Sequence, residues 1–398
     1  MRYLPFFIPA VLCVILPSSL FAQAGQNPVD ISNVLRVEYD DNVFSTGTSS
    51  ATGKTDSMKI VESLELLFDT EQGPTYFGVV YAPSFVYYED RPGDSSDVNH
   101  QLDASLIHKF TPRNVFQIKE TLRRSDEPEL IQDDVTVRKN NDFLYNSLNA
   151  SFSSQVVPEK LNLKLDGRYA LLRYDESDVA DASDYDQFTG GLDLVHALGP
   201  NASAGGQVRF TSLDYESEFR DLEAVQVGTI ISNVFSPALQ GDLRLGYEYR
   251  DASAAVEQTS DSPYVDGSLV FLPVKNTQIT VGAGYSKDKS PLNRFAQQER
   301  VRVYANANHS LTPALRLTVS GSVSEGTFDT DDATSLFDPD VDTDGNESVV
   351  QATVGLTYKV NVRNSILATF QFTELESDVR PESDFDRSRV SLGWQYNL

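Results

Sequence analysis

The stretch LNLKLD at residues 161–166 alternates strictly between leucine and a polar side chain. The same alternation occurs in LRLGYEY at residues 243–249 and in LRLTVS at residues 315–320. Successive side chains of a β-strand point to opposite faces, so each stretch predicts a strand with one apolar and one polar face. Because the three stretches lie far apart in the chain, they indicate one all-β architecture rather than a local feature.

Prolines recur between the alternating segments, each just after an apolar strand end. Six of them are separated by 36 to 46 residues, at Pro112, Pro158, Pro200, Pro237, Pro273 and Pro313. The Gly73-Pro74 and Val360-Asn361 pairs extend the series at either side. Proline cannot donate a hydrogen bond to a neighbouring strand, so this series predicts tight turns.

Each repeat of about 40 residues therefore holds two strands of about ten residues, one short turn and one longer polar loop, which is typical of a transmembrane barrel. Counting from a first strand at residues 35–44 to a last strand at residues 386–398 gives about 18 strands. We predict an all-β, transmembrane, antiparallel up-and-down β-barrel with short periplasmic turns and long acidic extracellular loops. A soluble propeller is the alternative, although its repeat packs four short strands.

The N-terminus has the features of a secretory signal peptide. Arg2 precedes an apolar run over residues 6–16, and the sequence Ala22-Gln23-Ala24 fits the small-residue cleavage pattern. We therefore assign residues 1–24 to a signal peptide and residues 25–398 to the barrel. The only cysteine, Cys13, lies inside the signal, which excludes a disulfide from the mature chain. The formal net charge of -26 disfavours nucleic acid as a partner.

The polar faces of the strands carry many ionisable residues, which would line the lumen if the apolar faces contact lipid. An unpaired charge in a dry interior costs several kcal/mol, so these residues predict a wet lumen. The alternative is that they pair across the wall around a plugged lumen. The predicted lumen-lining residues are Arg36, Glu38, Lys119, Arg123, Lys164, Arg168, Arg244, Glu248, Arg302 and Arg316.

One loop resembles the start of a calcium-binding loop. Its carboxylates Asp340, Asp342 and Asp344 alternate and are followed by Gly345, which would allow a sharp turn. Gln351 stands where a bidentate glutamate would close such a loop. Calcium at the extracellular loops is accordingly the one metal or cofactor that the sequence suggests.

The sequence shows no arrangement typical of catalysis, and we predict that the protein is not an enzyme. His108, His196 and His309 each precede a turn proline by four residues. The alternation places them on the lipid-facing side near the periplasmic interface, spread around a wide barrel where they could not converge on one metal. No nucleophile, base and orienting group recur together in the pattern of a hydrolase.

The last ten residues, RVSLGWQYNL, alternate to the end of the chain. This segment resembles the C-terminal strand by which bacterial β-barrel proteins are recognised for membrane insertion, although most have a terminal phenylalanine where this chain has Leu398. The resemblance implies an assembly signal at Gly393, Trp394, Tyr396 and Leu398. It also implies the outer membrane of a diderm bacterium, with lipid, lipopolysaccharide and the barrel-assembly machinery as partners.

The sequences VEYDDNVF at residues 37–44 and YAPSFVYY at residues 81–88 resemble the first strands of a family of outer-membrane β-barrel porins. The resemblance covers most of the mature chain. It implies a passive, porin-like channel for small hydrophilic solutes. Some members of the family are associated with exopolysaccharide export, so an export component for polysaccharide is the alternative, and a non-conducting surface scaffold or adhesin is a third hypothesis.

Overall fold

The computed structural model describes residues 28–47, 53–125, 130–131, 135–136, 141–216, 220–252, 258–292, 295–329, 344–379 and 384–398. Within these residues the chain forms twenty strands and one short helix. The strands are β1 Val29–Asp40, β2 Ser57–Gln72, β3 Thr75–Tyr88, β4 Ser96–Thr111, β5 Asn114–Ser125, β6 Leu130–Ile131, β7 Val135–Thr136, β8 Phe143–Val157, β9 Leu161–Tyr174, β10 Tyr185–Ala197, β11 Ala202–Tyr215, β12 Leu222–Ser236, β13 Leu239–Ala252, β14 Gln258–Phe271, β15 Thr277–Lys289, β16 Gln297–Ser310, β17 Leu315–Phe328, β18 Gly345–Lys359, β19 Asn364–Ser377 and β20 Phe385–Asn397.

Eighteen of the strands form one antiparallel sheet that closes on itself. Each pairs with its neighbours along the chain, and β1 pairs with both β2 and the last strand, β20. The two-residue strands β6 and β7 pair with each other in a separate two-stranded sheet. A closed sheet has no edge with unsatisfied backbone groups. The predicted all-β barrel of about 18 antiparallel strands is therefore confirmed.

The connections differ in length at the two ends of the barrel. Eight short turns join strands at one end, which we call the turn end, and seven of them contain the prolines that marked turns in the sequence. Gly73 adopts a φ of 56° in one of them, a backbone conformation that glycine adopts without steric cost. The opposite end, the loop end, carries the longer connections. The alternation of long and short connections is as predicted.

The first strand ends four residues earlier than the sequence predicted, at Asp40 rather than Phe44. The backbone N–H of Asn42 donates to the Asp40 carboxylate, and the Asn42 side chain donates to the carbonyl oxygens of Thr46 and Asp386. These bonds turn the chain inward, where Val43 becomes buried against Val61 and Val86. The apolar residues at the end of the predicted strand therefore belong to an internal cluster of the loop end.

The outward face of the wall carries exposed apolar side chains on strands all around the barrel. On β20, Val390, Leu392 and Trp394 point outward and are more than half exposed, whereas Arg387, on the inward face of the same strand, is buried. Tyrosines project outward nearer the loop end, among them Tyr247 and Tyr249 on β13. An apolar band flanked by aromatic side chains is the surface that a barrel presents to a bilayer.

The helix α1, Ser177–Ser183, lies in the connection between β9 and β10. Its Val179 packs into an apolar cluster at the loop end that includes Tyr174, Tyr185 and Tyr215. No helix among the described residues is long and apolar enough to cross a bilayer.

Strands β14 and β15 separate before they reach the loop end. Their pairing runs only from Phe271 and Ile279 at the turn end to Val265 and Tyr285. Pro263 lies two residues beyond Val265 toward the loop end and cannot donate a hydrogen bond to a neighbouring strand. The end of β15 then leans into the lumen, since Lys289 donates from Nζ to Oε1 of Gln187 on β10, at 3.1 Å.

A row of four inward residues shows how glycine shapes the wall. Gln207, Gly228, Gly246 and Tyr264 are register partners on the successive strands β11 to β14. The Tyr264 side chain extends past both glycines, and its hydroxyl accepts a hydrogen bond from Nε2 of Gln207 at 2.6 Å. A Cβ at position 228 would lie 2.0 Å from the Tyr264 hydroxyl and 2.5 Å from the Leu245 carbonyl oxygen. The row therefore requires a residue without a side chain there.

We expect the substitution Gly228→Ala to destabilise the barrel by about 1–3 kcal/mol, the usual cost of overpacking. The matched control is Gly167→Ala on β9, where the nearest atom to a new Cβ, the Thr189 carbonyl oxygen, is 4.0 Å away. Glycine weakens a strand relative to alanine, so the control should be neutral or slightly stabilising. Urea unfolding of the refolded variants measures both, and equal effects would contradict the proposed close packing.

Candidate functional site

The ten predicted lumen-lining residues all lie on the inward side of their strands, as judged from the outward apolar residues that alternate with them. Leu35 and Val37 point outward on either side of Arg36, and Val301 and Val303 do so on either side of Arg302. The same relation places the others inward, namely Glu38, Lys119, Arg123, Lys164, Arg168, Arg244, Glu248 and Arg316. The inward face therefore carries both signs of charge.

Within the part of the chain that the structure describes, two neighbouring cavities lie in the lumen, with volumes of about 470 Å³ and 270 Å³. Arg123, Gln371 and Arg389 line both of them. Arg36 and Glu38 line the smaller cavity and Arg302 lines the larger one. We call the larger one the central cavity. The structure thus brings four of the ten predicted residues together, whereas the other six line neither cavity.

The central cavity extends from one side of the barrel to the other. Arg123 is on β5 and Arg302 is on β16, which are nine strands apart in either direction around the wall. A barrel of about this many strands is wide enough for an aqueous channel. Side chains of opposite walls therefore line the same cavity.

Two rows of inward side chains form one wall of the central cavity. The strand register aligns each row across the five strands β16 to β20, and we call these rows the polar rungs. The first polar rung is Asn306, Ser320, Thr353, Gln371 and Arg389. The second is Tyr304, Ser322, Gln351, Thr373 and Arg387. All ten residues line the cavity, so its wall combines neutral hydrogen-bonding groups with two guanidinium groups.

Basic side chains are the second feature of the lining. The described residues that line the central cavity include four arginines, at positions 123, 302, 387 and 389, and no aspartate or glutamate. The guanidinium carbon of Arg302 lies 5.5 Å from the centre of the Tyr304 ring, within the distance of a cation–π contact. The charged side chains in the described lining of the cavity are therefore all basic, in a protein whose net charge is strongly negative.

A buried ionic cluster lies at the loop end, beside both cavities. The carboxylate of Asp40 is fully buried between two cations: Nζ of Lys59 lies 2.6 Å from Oδ2, and Nη2 of Arg387 lies 2.5 Å from the same atom. Lys59 also lies 3.4 Å from Glu38. The cluster joins β1, β2 and β20, the strands at which the barrel closes. Sequence alternation predicted an inward Glu38 but did not identify Asp40 or Lys59.

Other predicted lumen residues are paired along the wall. Asp166 accepts hydrogen bonds from Nη1 of Arg209 at 3.0 Å and lies 3.4 Å from Lys164. Arg168 donates to the Tyr145 hydroxyl at 2.8 Å, on the neighbouring strand β8. Glu248 is buried and bonded to Arg250. This half of the wall therefore shows the pairing that was the alternative to a uniformly charged lumen, while the cavities lie toward the other half.

The loop end is narrowed by segments that fold inward. Arg220, between β11 and β12, donates to the carbonyl oxygen of Ala182 in α1 at 2.8 Å and to that of Ser290 at 2.7 Å. Its guanidinium carbon lies 4.0 Å from the centre of the Tyr215 ring. A single buried arginine therefore ties together three connections. The loop after β15 contributes Phe295, which packs against Phe328 in a separate apolar cluster.

Asp184 lies between α1 and β10 at this end. Burial, together with the nearby carboxylates of Glu216 and Asp186, raises the pKa of its carboxyl to about 6. The backbone N–H of Tyr174, which donates to Oδ1 at 2.8 Å, and the charge of Arg173 act in the opposite direction. The carboxyl therefore titrates at a pH where an ordinary aspartate is fully ionised.

The histidines near the turn end bond to threonines on adjacent strands. Nδ1 of His108 lies 2.8 Å from the Thr75 hydroxyl, and Nδ1 of His309 lies 2.7 Å from the Thr277 hydroxyl. In both pairs the histidine and threonine are direct register partners. The two pairs are far apart around the wall, on β4 and β16.

The predicted calcium residues Asp340 and Asp342 lie outside the described residues, and Asp344 lies exposed just before β18. Within the described part of the chain, no three histidine, cysteine, aspartate or glutamate side chains are grouped as metal ligands. Calcium binding at this loop stays a prediction. The predicted signal peptide, residues 1–24, also lies outside the described residues.

The residues of the predicted assembly signal lie where the barrel closes. Trp394 pairs with Leu35 and Tyr396 with Asn33 on β1, and the backbone N–H of Leu398 donates to Ile31. Gly393 packs closely against Arg36. A Cβ added to Gly393 would lie 3.0 Å from the Cβ of Arg36. These residues form the seam of the wall, and their recognition during assembly stays a prediction.

The sequence model of a family described as "Putative beta-barrel porin 2" matches residues 119–397. No curated protein matches the sequence.

Solved structures resemble the fold over nearly its whole length. A BenF-like porin from Pseudomonas fluorescens Pf-5 is 13% identical, with 94% of this chain and 100% of that chain covered and a TM-score of 0.53. The outer membrane protein opdK from Pseudomonas aeruginosa is 13% identical, with coverage of 93% and 99% and a TM-score of 0.50. OccAB2 from Acinetobacter baumannii is 10% identical, with coverage of 93% and 98% and a TM-score of 0.50. At these identities the likeness shows a shared barrel fold.

The ionic cluster yields a stability prediction. Replacing Asp40 by alanine leaves Lys59 and Arg387 buried without their shared carboxylate, so we expect a loss of about 3–5 kcal/mol in unfolding free energy. The control Asp175→Ala breaks a pair of similar length, 2.6 Å to Arg124, whose side chains are half exposed. That loss should stay below about 1 kcal/mol. Urea unfolding compares the two, and a loss at Asp40 as small as at Asp175 would contradict the burial argument.

Asp184 yields a pH prediction. Its pKa is raised in the folded protein, so the folded state binds the proton more tightly than the unfolded chain. This stabilisation is complete below the ordinary value of 3.8 and is lost as the pH rises through about 6. Unfolding measured between pH 4 and pH 7 should show the native protein gaining about 1–2 kcal/mol on acidification relative to Asp184→Asn. Parallel pH profiles for the two proteins would refute this assignment.

Proposed function

The chain belongs to this family of β-barrel porins, and from that premise we propose that the protein is a passive outer-membrane channel for small hydrophilic solutes. The observation that carries the proposal is the central cavity, which is polar, crosses the lumen and lies inside a closed wall whose outward face is apolar. Such a wall isolates a wet interior from lipid. A solute that passes it exchanges hydration for contacts with side chains rather than with lipid.

The orientation follows from the two ends of the barrel. Barrels of bacterial outer membranes place short turns toward the periplasm and longer loops outside the cell. We therefore assign the turn end to the periplasm and the loop end, with its inward-folded connections, to the cell exterior. The outer membrane of a diderm bacterium is then the location, and lipid and lipopolysaccharide are the surroundings of the apolar face.

The C-terminal strand is the proposed element for recognition by the barrel-assembly machinery. Support comes from its position, since β20 must pair with β1 to close the wall. Its outward residues Trp394 and Leu392 are also among the most exposed apolar residues on the face assigned to lipid.

Charge selectivity is the second part of the proposal. Arg36, Arg123 and Arg302 line the cavities, and a low-dielectric wall focuses the field of such charges into the lumen. Anions should therefore be concentrated at this level and cations depleted, whatever the net charge of the protein. Lys119, Lys164, Arg168, Arg244 and Arg316 are proposed to contribute less, since they lie away from the cavities.

Planar-bilayer recording of the refolded protein tests the channel directly. We expect stable stepwise openings, whose selectivity can be measured from the reversal potential in a salt gradient. Recording with and without calcium also tests whether the calcium binding predicted at the loops changes the current. Silent barrels whose folding has been verified would overturn the proposal of a channel.

The variant Arg36→Glu, Arg123→Glu and Arg302→Glu tests the selectivity. It should shift the anion-to-cation permeability ratio toward cations by on the order of tenfold. The matched control makes the same three charge reversals in exposed turns, with Arg113→Glu, Lys160→Glu and Arg363→Glu. Its reversal potential should move much less, because salt screens charges outside the wall within about 10 Å. If the lumen variant leaves the reversal potential unchanged, these three arginines do not set the charge selectivity.

A further inference from the structure

The polar rungs define a ligand surface as well as a constriction. Eight of their ten side chains are uncharged and carry a hydroxyl or an amide, and the strand register holds them in two parallel rows. Hydroxyl and amide groups both donate and accept hydrogen bonds. A wall of this composition matches a molecule with several hydroxyl groups, because each hydroxyl can find a donor or an acceptor along either row.

The rungs end in charge on β20. Arg389 completes the first rung and Arg387 completes the second, while Arg123 lines the same cavity from the opposite wall. Arg387 is bound to the buried carboxylate of Asp40, which fixes it at the edge of the cavity. A guanidinium group presents a planar fork of donors that matches a carboxylate. The charged part of a ligand would therefore lie at the β20 side, with its hydroxyl groups along β17 to β19.

The other side of the cavity is shaped by Tyr304. A Cβ on Gly282 would lie 2.4 Å from the Tyr304 ring, so the ring lies over the bare backbone of β15 rather than across the lumen. This arrangement keeps the cavity open and gives one side of it a flat aromatic surface. At about 470 Å³ the cavity falls within the range of sites for small molecules, which is about 300–1,000 Å³.

We propose that the central cavity is a binding site for small hydroxylated carboxylates, the chemical class of the sugar acids. The inference rests on the proposed channel function, since it names the solute class that the channel would favour. Arg389 and Arg123 bind the carboxylate, and the neutral side chains of the polar rungs bind the hydroxyl groups. A solute that must also leave the channel has to bind weakly, so the dissociation constant should be about 1 mM.

Three probes distinguish the contribution of the ligand's carboxylate from that of its hydroxyl groups. Galacturonate has both the carboxylate and the hydroxyl groups, galactose lacks the charge, and benzoate lacks the hydroxyl groups. Isothermal titration of the refolded protein should show binding of galacturonate at least about tenfold tighter than that of either other probe, equivalent to about 1.4 kcal/mol. Equal binding of benzoate and galacturonate would overturn the role of the polar rungs, and equal binding of galactose would overturn that of the arginines.

Variants place the site within the lumen. Arg389→Gln should weaken galacturonate binding about tenfold with little effect on galactose. The double variant Thr353→Val and Gln371→Leu should weaken galacturonate but leave benzoate unchanged. The matched control is Arg316→Gln, an inward arginine on β17 that does not line the cavity, and it should bind all three probes as the native protein does. A loss as large in the control would assign the effect to overall charge and refute the site.

Conductance distinguishes the failure of this inference from the failure of the channel proposal. Current that is reduced by galacturonate in a saturable manner supports both. Stable chloride conductance that galacturonate does not reduce, together with no heat of binding, overturns the site and leaves the channel. Binding heat without any conductance supports the site and overturns the passive channel.

Discussion

The structure depends on one constraint, which is that every backbone N–H and C=O group inside a bilayer must be paired within the protein. Eighteen strands largely meet this constraint because the last strand pairs with the first and closes the sheet, while β14 and β15 separate only toward the loop end. Closure also fixes which residues face inward, because a slip of one residue would move every charged side chain of a strand into lipid. The apolar outer face and the register of the strands are therefore one requirement rather than two.

Register converts a local alternation into a three-dimensional site. Ser320, Thr353 and Gln371 are unremarkable polar residues in sequence, yet they become neighbours because three successive strands pair at those positions. The same holds for the row in which Tyr264 crosses two glycines to reach Gln207. In both places the wall's inner surface depends on which residues share a row. A change at one strand therefore acts on side chains two or three strands away.

Much of the fold could be predicted from the sequence because its signals are local. Alternation with period two identifies the faces, and prolines such as Pro158 identify turns, whatever the rest of the chain does. The end of the first strand could not be predicted in this way. Val43 and Phe44 continue the apolar pattern of β1, but side-chain bonds of Asp40 and Asn42 to the backbone turn the chain inward instead. Local hydrogen bonds of this kind compete with strand pairing.

The sequence predicted inward charged residues but not which of them lie together, because the residues that meet are far apart in the chain. Arg387 and Asp40 are 347 positions apart, so their pairing exists only once the barrel has closed. The same is true of the opposition between Arg123 and Arg302. Inward charge is visible in the alternation, but which cations are matched by carboxylates depends on the register around the whole circumference.

The placement of carboxylates, more than the number of cations, sets the field inside the lumen. Asp166 and Glu248 are bonded to basic groups along one half of the wall, and Asp40 draws Lys59 and Arg387 together at the loop end. The described lining of the central cavity contains no carboxylate, so there the arginines determine the potential. Arginine suits this position better than lysine, because its guanidinium is more weakly hydrated and stays charged when it is partly buried. A strongly acidic chain can thus enclose a positive constriction, because most of its acidic side chains lie elsewhere.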